Sequence, residues 1–297
     1  RLNCIEVDDK LVAEKKFYSA ILSILFTNHY CFPSILSAEE VYVNAGVEIL
    51  QKTETIYRSY IFDPCLKNVA KYLRRTGHQI TFLPGEIELN AITKQLQQSG
   101  MKDGRYHYNA DGVFHADEFS NIEILLSEVS NGYGSNSNGK SSFDHYKAMF
   151  GMLAMLRTLA QKYSKGSFDT FRKLKVHFLH GHGDAVRHWS MSVQAPGVFV
   201  MNKEQRVEVP VNFFEKNASL IPFLEFYSTV AGACAETVET MGLLRAEHVS
   251  ALRKTTKTGN LTSIVNPVII RLNEGKHMTI VADEGPMSIP GSPNCDP

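Results

Sequence analysis

The sequence has little cysteine. Cys4, Cys31, Cys65, Cys234 and Cys295 are scattered through 297 residues, and no two form a C-x-x-C pair. That excludes a zinc ribbon and a dithiol redox motif. A sparse, odd count suits a reducing compartment, so an intracellular setting, cytoplasm or nucleus, is expected. A charge excess is missing too, with Lys+Arg and Asp+Glu at 31 each. Net charge therefore gives no general attraction to nucleic acid, and any such binding must come from a local patch. The apolar run AILSILF, residues 20–26, is too short to cross a bilayer and reads as part of a core helix. No signal peptide is visible and no membrane association is expected. There is no internal repeat, and strands do not alternate with helices as in a Rossmann fold.

Helical spacing of apolar residues marks residues 11–28. Ser37 with Glu40 three residues on forms a capping box for a helix to about Leu50. Asp63-Pro64 reads as an N-cap followed by Pro at the first helical position, opening a helix that runs to Arg75 and ends at Gly77. A short strand at 79–83, a Pro84-Gly85 turn and a helix over 86–98 are predicted next. Residues 122–129 form a compact apolar strand. The Gly-, Asn- and Ser-rich residues 131–142 read as an irregular loop. Residues 143–163 read as a helix with Phe143, Tyr146, Phe150, Leu153, Leu156 and Leu159 on its apolar side. Short strands at 174–179, 185–193, 197–202 and 205–209 precede a helical region over 213–244. The tail from Glu284 has the composition of a disordered segment. The fold class expected is α/β, a small mixed sheet with flanking helices. Residues 1–33 would be a helical extension, 34–255 the main domain and 256–297 a C-terminal segment.

The chemistry lies in DGVFHADEFSNIEILLSEVSNG, residues 111–132. A hairpin turning within 116–121 brings an Asp at the start of one strand beside a Glu near the end of the next. Paired carboxylates hold a hard cation beside a scissile phosphate, and a lysine can stabilise developing charge. Asp111-Gly112-Val113, Glu128-Val129-Ser130 and a helix opening Phe143-Asp144-His145-Tyr146-Lys147 resemble the PD-(D/E)XK nuclease superfamily. More narrowly, the chain is similar to uncharacterised proteins of early-diverging moulds that carry such a core. The resemblance covers roughly residues 34–210. It implies an α-β-β-β-α-β core, Mg²⁺ or Mn²⁺ as the cofactor, and nucleic acid as the partner. Asp111 and Glu128 would be metal ligands. A further acid would come from Glu40, Glu48 or Glu86, with Glu86 preferred as nearest the hairpin in sequence. Two positions depart from the pattern. Ala110 stands where Pro is usual, and Ser130 stands where Glu-x-Lys needs its lysine. Lys147 or Lys140 would then have to stand in.

Other segments compete. An Asp-Gly at a strand end is also an ordinary turn, and a strand ending in Glu is commonplace. His180, His182 and Asp184 have an H-x-H-x-D spacing that serves zinc hydrolases, but Ala185 follows where those continue with His. The plain alternative is a turn at Gly181 and Gly183 with surface histidines. Gly134 to Ser141 matches the phosphate-loop pattern, yet no parallel β-α series is apparent around it. Arg157, Lys162, Lys165, Arg172, Lys173 and Lys175 form a basic cluster, either a phosphate-backbone patch or a solvated helix end. The function expected is metal-dependent phosphodiester cleavage in DNA or RNA. A catalytically degenerate binding module and a nucleotide hydrolase are the alternatives.

Overall fold

A computed structural model describes residues 47–100, 107–135, 137–211, 216–254 and 260–270, with two-residue strands at 281–282 and 285–286. The helix expected over 11–28, the Ser37 cap and Glu40 lie outside the described residues.

Short helices α1 (Val47–Leu50) and α2 (Glu54–Tyr57) lead into a π-helical turn, Arg58–Phe62. Helix α3 (Asp63–Arg75) continues directly from that turn. Asp63 is thus a helical residue and caps nothing, contrary to expectation, because the preceding residues are already wound. Pro64 stands in the first turn of α3, the position where a missing N–H costs a helix least. Gly77, at φ 100°, ends the helix as expected.

Strand β1 (Ile80–Glu88) runs straight through Pro84-Gly85. The expected turn is a bulge: pairing with the next strand shifts between Pro84 and Ile87, and Gly85 takes φ 105°. The predicted helix over 86–98 therefore loses its first turn to β1, and α4 spans Asn90–Gln98. Its start is fixed by Glu123, whose carboxylate accepts from the Asn90 and Ala91 amides at 2.6 and 2.8 Å.

The hairpin forms as expected. Strand β2 (Asn109–Ala116) passes through a short 3₁₀ turn into β3 (Ile122–Ser130), and the two pair antiparallel. Helix α5 spans Asn138–Lys162, five residues longer at its start than predicted. It crosses to β4 (Val176–His182), which lies parallel to β3. Strands β5 (Ala185–Ala195) and β6 (Val198–Glu208) complete a six-stranded mixed sheet in sequence order. The two strands predicted over 197–209 are one. Helix α6 is the single turn Phe168–Phe171.

Helix α5 covers the face that carries Leu126 and Glu128. Its buried positions include Ala148, Gly151, Met152, Ala154 and Met155, while Phe143, Tyr146, Phe150 and Leu153 are only half-buried. Of the six residues predicted on the apolar side, Leu156 and Leu159 are fully buried as expected, and the other four are displaced to the half-buried flank for a physical reason. A Cβ on Gly151 would sit within 2.9 Å of the Leu89 and Leu126 side chains, so small residues mark the line of closest approach. Helix α7 (Lys216–Lys254) and α3 pack together, and α7 also contacts β6. By length and composition α7 could cross a membrane, but nearly half of its apolar window is buried here. Helix α8 is Leu261–Ile264. Gly285–Pro286, in the tail expected to lack structure, pairs antiparallel with Val281–Ala282 just ahead of it.

Candidate functional site

Asp111 and Glu128 lie on neighbouring strands, one step beyond the register pair Gly112–Ser127. Opposed residues of an antiparallel pair share a sheet face. Across the parallel ladder Glu128 is level with His180. The row sits where β3 and β4 end and β2 begins, beneath the first turns of α5. Asp111 and Glu128 are each 4 % exposed.

Lys147 reaches down from α5 and places Nζ 2.9 Å from Glu128 Oε1. Burial pushes the Glu128 carboxyl well above its usual range; Lys147 opposes this, and the nearby charges of Asp144 and Asp111 add to it. Desolvation is the largest influence on Lys147 and acts against its charge, but Glu128, Asp144 and Asp111 together raise the amine above its usual range. The pair is therefore an ion pair whose proton stays on Lys147. A lysine thus stands beside Glu128, although it comes from α5 and not from position 130.

Ser130 has a different task. Its Oγ donates to Asp144 Oδ2 at 2.6 Å and lies 2.9 Å from His180 Nε2. Since the hydroxyl gives its hydrogen to Asp144, the imidazole donates to Ser130 and carries its proton on Nε2. The serine bridges the other two, so this is no nucleophile triad, in which histidine bridges. Burial raises Asp144 from 3.8 to about 6, with the Ser130 hydrogen bond, Lys147 and Lys140 acting against it.

Asp111 is held from two sides. Arg58, from the π-helical turn, places Nη1 2.6 Å from Oδ1, and the Val129 amide donates to Oδ2 at 2.7 Å. Lys140, in the first turn of α5, pairs with Glu54 at the start of α2. Glu54 also accepts from the Asn131 amide at 3.0 Å. Glu54 and Arg58 are residues that sequence reasoning missed, while Asp144 entered it only within the helix-opening motif and His180 only as a zinc-ligand candidate. Asp144 and Lys147, three apart on one helix, carried a readable spacing. Glu54 and Arg58 carried none, because their partners are distant in sequence.

Glu86 does not join Glu128. It is exposed on β1 at the bulge, and its charge helps hold Arg58 protonated. Glu48 is exposed on α1. The six basic residues lie towards the other end of α5 and β4, with Lys162 about 22 Å along the helix from Lys147. Lys162 donates to the Phe119 carbonyl, Lys175 pairs with Glu204 at 2.7 Å, and Arg172 and Lys173 are exposed.

Two of the three histidines of the 180–188 segment are buried, contrary to the turn reading, and His182 is half-buried. His180 and His188 are each 1 % exposed, and the turn consists of Gly183 and Asp184 alone. Asp184 turns away to Arg206 at 3.2 Å, so the three H-x-H-x-D side chains do not converge. The 131–135 turn does stand between a strand and a helix that leads to a parallel strand, a context the sequence did not reveal. Its amides diverge, however: Tyr133 donates to the Leu50 carbonyl, Gly134 to Gly183 and Ser135 to Gly132. They cradle no common point.

Among the described residues no group of three or more His, Cys, Asp or Glu is spaced to hold a metal ion. Carboxylate oxygens are nevertheless the donors a hard cation takes, and Mg²⁺ commonly uses one or two of them with water and substrate phosphate. Among the described residues, the four carboxylates Glu54, Asp111, Glu128 and Asp144 interact with three cations, Arg58, Lys140 and Lys147. No family model, curated protein or solved structure matches this chain.

Proposed function

We propose that the protein is a metal-dependent nuclease-like protein that cleaves phosphodiester bonds in DNA or RNA. The observation that carries this reading is the buried Glu128–Lys147 pair, 2.9 Å apart, with Asp111 on the adjacent strand. A carboxylate pair and a lysine are what the resemblance requires, and here the lysine arrives from α5. The succession of α3, antiparallel β1 to β3, α5 and parallel β4, with α4 inserted after β1, supports a PD-(D/E)XK-like core.

Asp111 and Glu128 would hold Mg²⁺ or Mn²⁺, which supplies a Lewis acid for the phosphate and lowers the pKa of a bound water. Lys147 keeps a positive charge beside Glu128, where negative charge grows on the phosphoryl oxygens. Asp144 sits above Ser130 with a pKa of about 6, poised to accept a proton near neutrality. Buried free thiols at Cys65 and Cys234 accord with an intracellular setting.

A second reading, a catalytically degenerate binding module, is favoured by one observation: both Asp111 oxygens are already engaged, by Arg58 and Val129. One assay separates the two. Wild type and the Glu128→Ala variant are incubated with single- and double-stranded DNA and RNA in Mg²⁺, Mn²⁺ or EDTA. The nuclease reading expects metal-dependent cleavage by wild type alone. Equal residual cleavage by both proteins would sink it, and no wild-type cleavage in any metal would leave the module reading.

A further inference from the structure

We propose that Arg58 is an exchange switch of the carboxylate site: it holds Asp111 until a divalent cation arrives and then takes the substrate phosphate. The inference rests on the nuclease reading and names the regulation of that same site.

Three observations converge on Arg58. First, it occupies the ligand atom. Its Nη1 lies 2.6 Å from Asp111 Oδ1 while the Val129 amide covers Oδ2, so a cation can bind Asp111 only by displacing one of the two donors. The amide belongs to β3 and is fixed; the guanidinium stands on a flexible stem. Secondly, the guanidinium is only partly used. Its Nε is buried without a hydrogen-bond partner, although a buried N–H normally has one. An oxyanion beside Asp111 would complete it, and the planar fork of arginine suits two oxygens of one phosphate. Thirdly, Arg58 opens a π-helical turn between two α-helical stretches, and such turns recur at functional sites.

Electrostatics gives the direction of the exchange. Asp111, Asp63 and Glu86 all favour the Arg58 charge where it stands. A dication on Asp111 turns that local attraction into repulsion. Arginine cannot escape by losing its proton, so it must move or find an anion. A phosphodiester entering with the metal provides that anion. Metal and nucleic acid then favour each other's binding, and the coupling is reciprocal.

The test is metal binding, with oligonucleotide binding as a second readout. Mn²⁺ is titrated into full-length wild type, Arg58→Met, Arg58→Lys and Asp111→Asn, following free Mn²⁺ by electron paramagnetic resonance. Arg58→Met should bind Mn²⁺ about tenfold more tightly than wild type, within the usual range of such couplings. Asp111→Asn should lose that site. Fluorescence anisotropy with a short labelled duplex should show affinity rising with Mn²⁺ in wild type and not in Arg58→Met. If Arg58→Met fails to fold, Arg58→Lys is decisive, because it keeps the charge but not the fork: near-wild-type Mn²⁺ affinity with a weakened duplex response supports the switch. Mn²⁺ affinity unchanged or lower in Arg58→Met, absence of binding by both proteins, or duplex affinity indifferent to Mn²⁺ in wild type each overturns it. If wild type shows both couplings yet cuts nothing, the nuclease reading falls and the switch stands.

Discussion

Asp144, 5 % exposed, carries a carboxyl raised from 3.8 to about 6 by burial. The folded chain therefore holds that proton more tightly than the unfolded chain does. The associated stability is complete below about pH 3.8 and is lost as pH rises through about 6. Two pKa units correspond to roughly 3 kcal/mol, an upper figure that relaxation around the site reduces. Asp144→Asn keeps an acceptor for Ser130 and removes the charge. Its melting temperature should therefore exceed that of wild type at pH 8, and the gap should shrink towards pH 4. A gap independent of pH would show that Asp144 does not titrate in this window. Lys147 gives the complementary case. Lys147→Met would strand Glu128 in the interior, at a cost of about 3–5 kcal/mol near neutrality. Adding Glu128→Gln should recover much of that, because the uncompensated charge goes with it. Urea unfolding of the two single variants and the double variant measures the coupling, and additive losses would refute the pairing.

The elements meet through two close approaches. Gly181 on β4 lies against the Phe62 ring of the π-helical turn, where an added Cβ would overlap the ring. Gly112, beside Asp111, would meet the Phe82 ring and Ser127 Oγ at 2.6 and 2.8 Å. Gly181→Ala should therefore cost about 1–3 kcal/mol, the usual scale of overpacking a filled core. It should also loosen the turn that carries Arg58. Denaturant unfolding checks the first effect, and a wild-type midpoint would mean that Phe62 yields freely. The other sheet face has its own polar system. His188 Nε2 lies 3.1 Å from His177 Nδ1, and His177 Nε2 lies 3.0 Å from Thr237 Oγ1, which donates to the Lys175 carbonyl at 2.8 Å. Read from the Thr237 end, every ring nitrogen in this chain has one role, which keeps both imidazoles neutral. Burial agrees, taking His188 down to about 4. The chain ties β5 to β4 and α7.

For the whole molecule, cation binding at the proposed site would be linked to stability, since a ligand that binds only the folded state stabilises it by mass action. At a hundredfold excess over its dissociation constant, Mn²⁺ should add about 2.7 kcal/mol. The rise in melting temperature with Mn²⁺ should disappear in Asp111→Asn and Glu128→Gln and survive in Lys173→Ala, which alters only an exposed turn residue ahead of β4. An equal rise in all four proteins would indicate non-specific ion binding. The distance between the basic cluster and the carboxylates bears on substrate size. Lys162 lies about 22 Å along α5 from Lys147, so only a long polymer could touch both ends.

Local pattern pointed to the hairpin and to the pair it carries. The apolar run of β3 and a turn after Ala116 suggested where Asp111 and Glu128 would meet, although the sequence around Asp111 reads as broken and polar and only the structure shows it as the strand β2. The helix after them was legible as well, though only part of its inner face. Leu156 and Leu159 turn inward as the pattern suggested, but at the closest approach to the sheet the small residues Ala148, Gly151 and Ala154 are buried where Phe150 and Leu153 were expected. Helix α4 started late because Glu123, more than thirty residues on, caps it. Arg58 on Asp111, Glu54 on Lys140 and Ser130 between Asp144 and His180 are contacts across 53, 86, 14 and 50 positions. No local periodicity encodes such pairs. They exist because the parallel crossover from β3 through α5 to β4 brings His180 level with Glu128, and because the π-helical turn aims Arg58 at the end of β2.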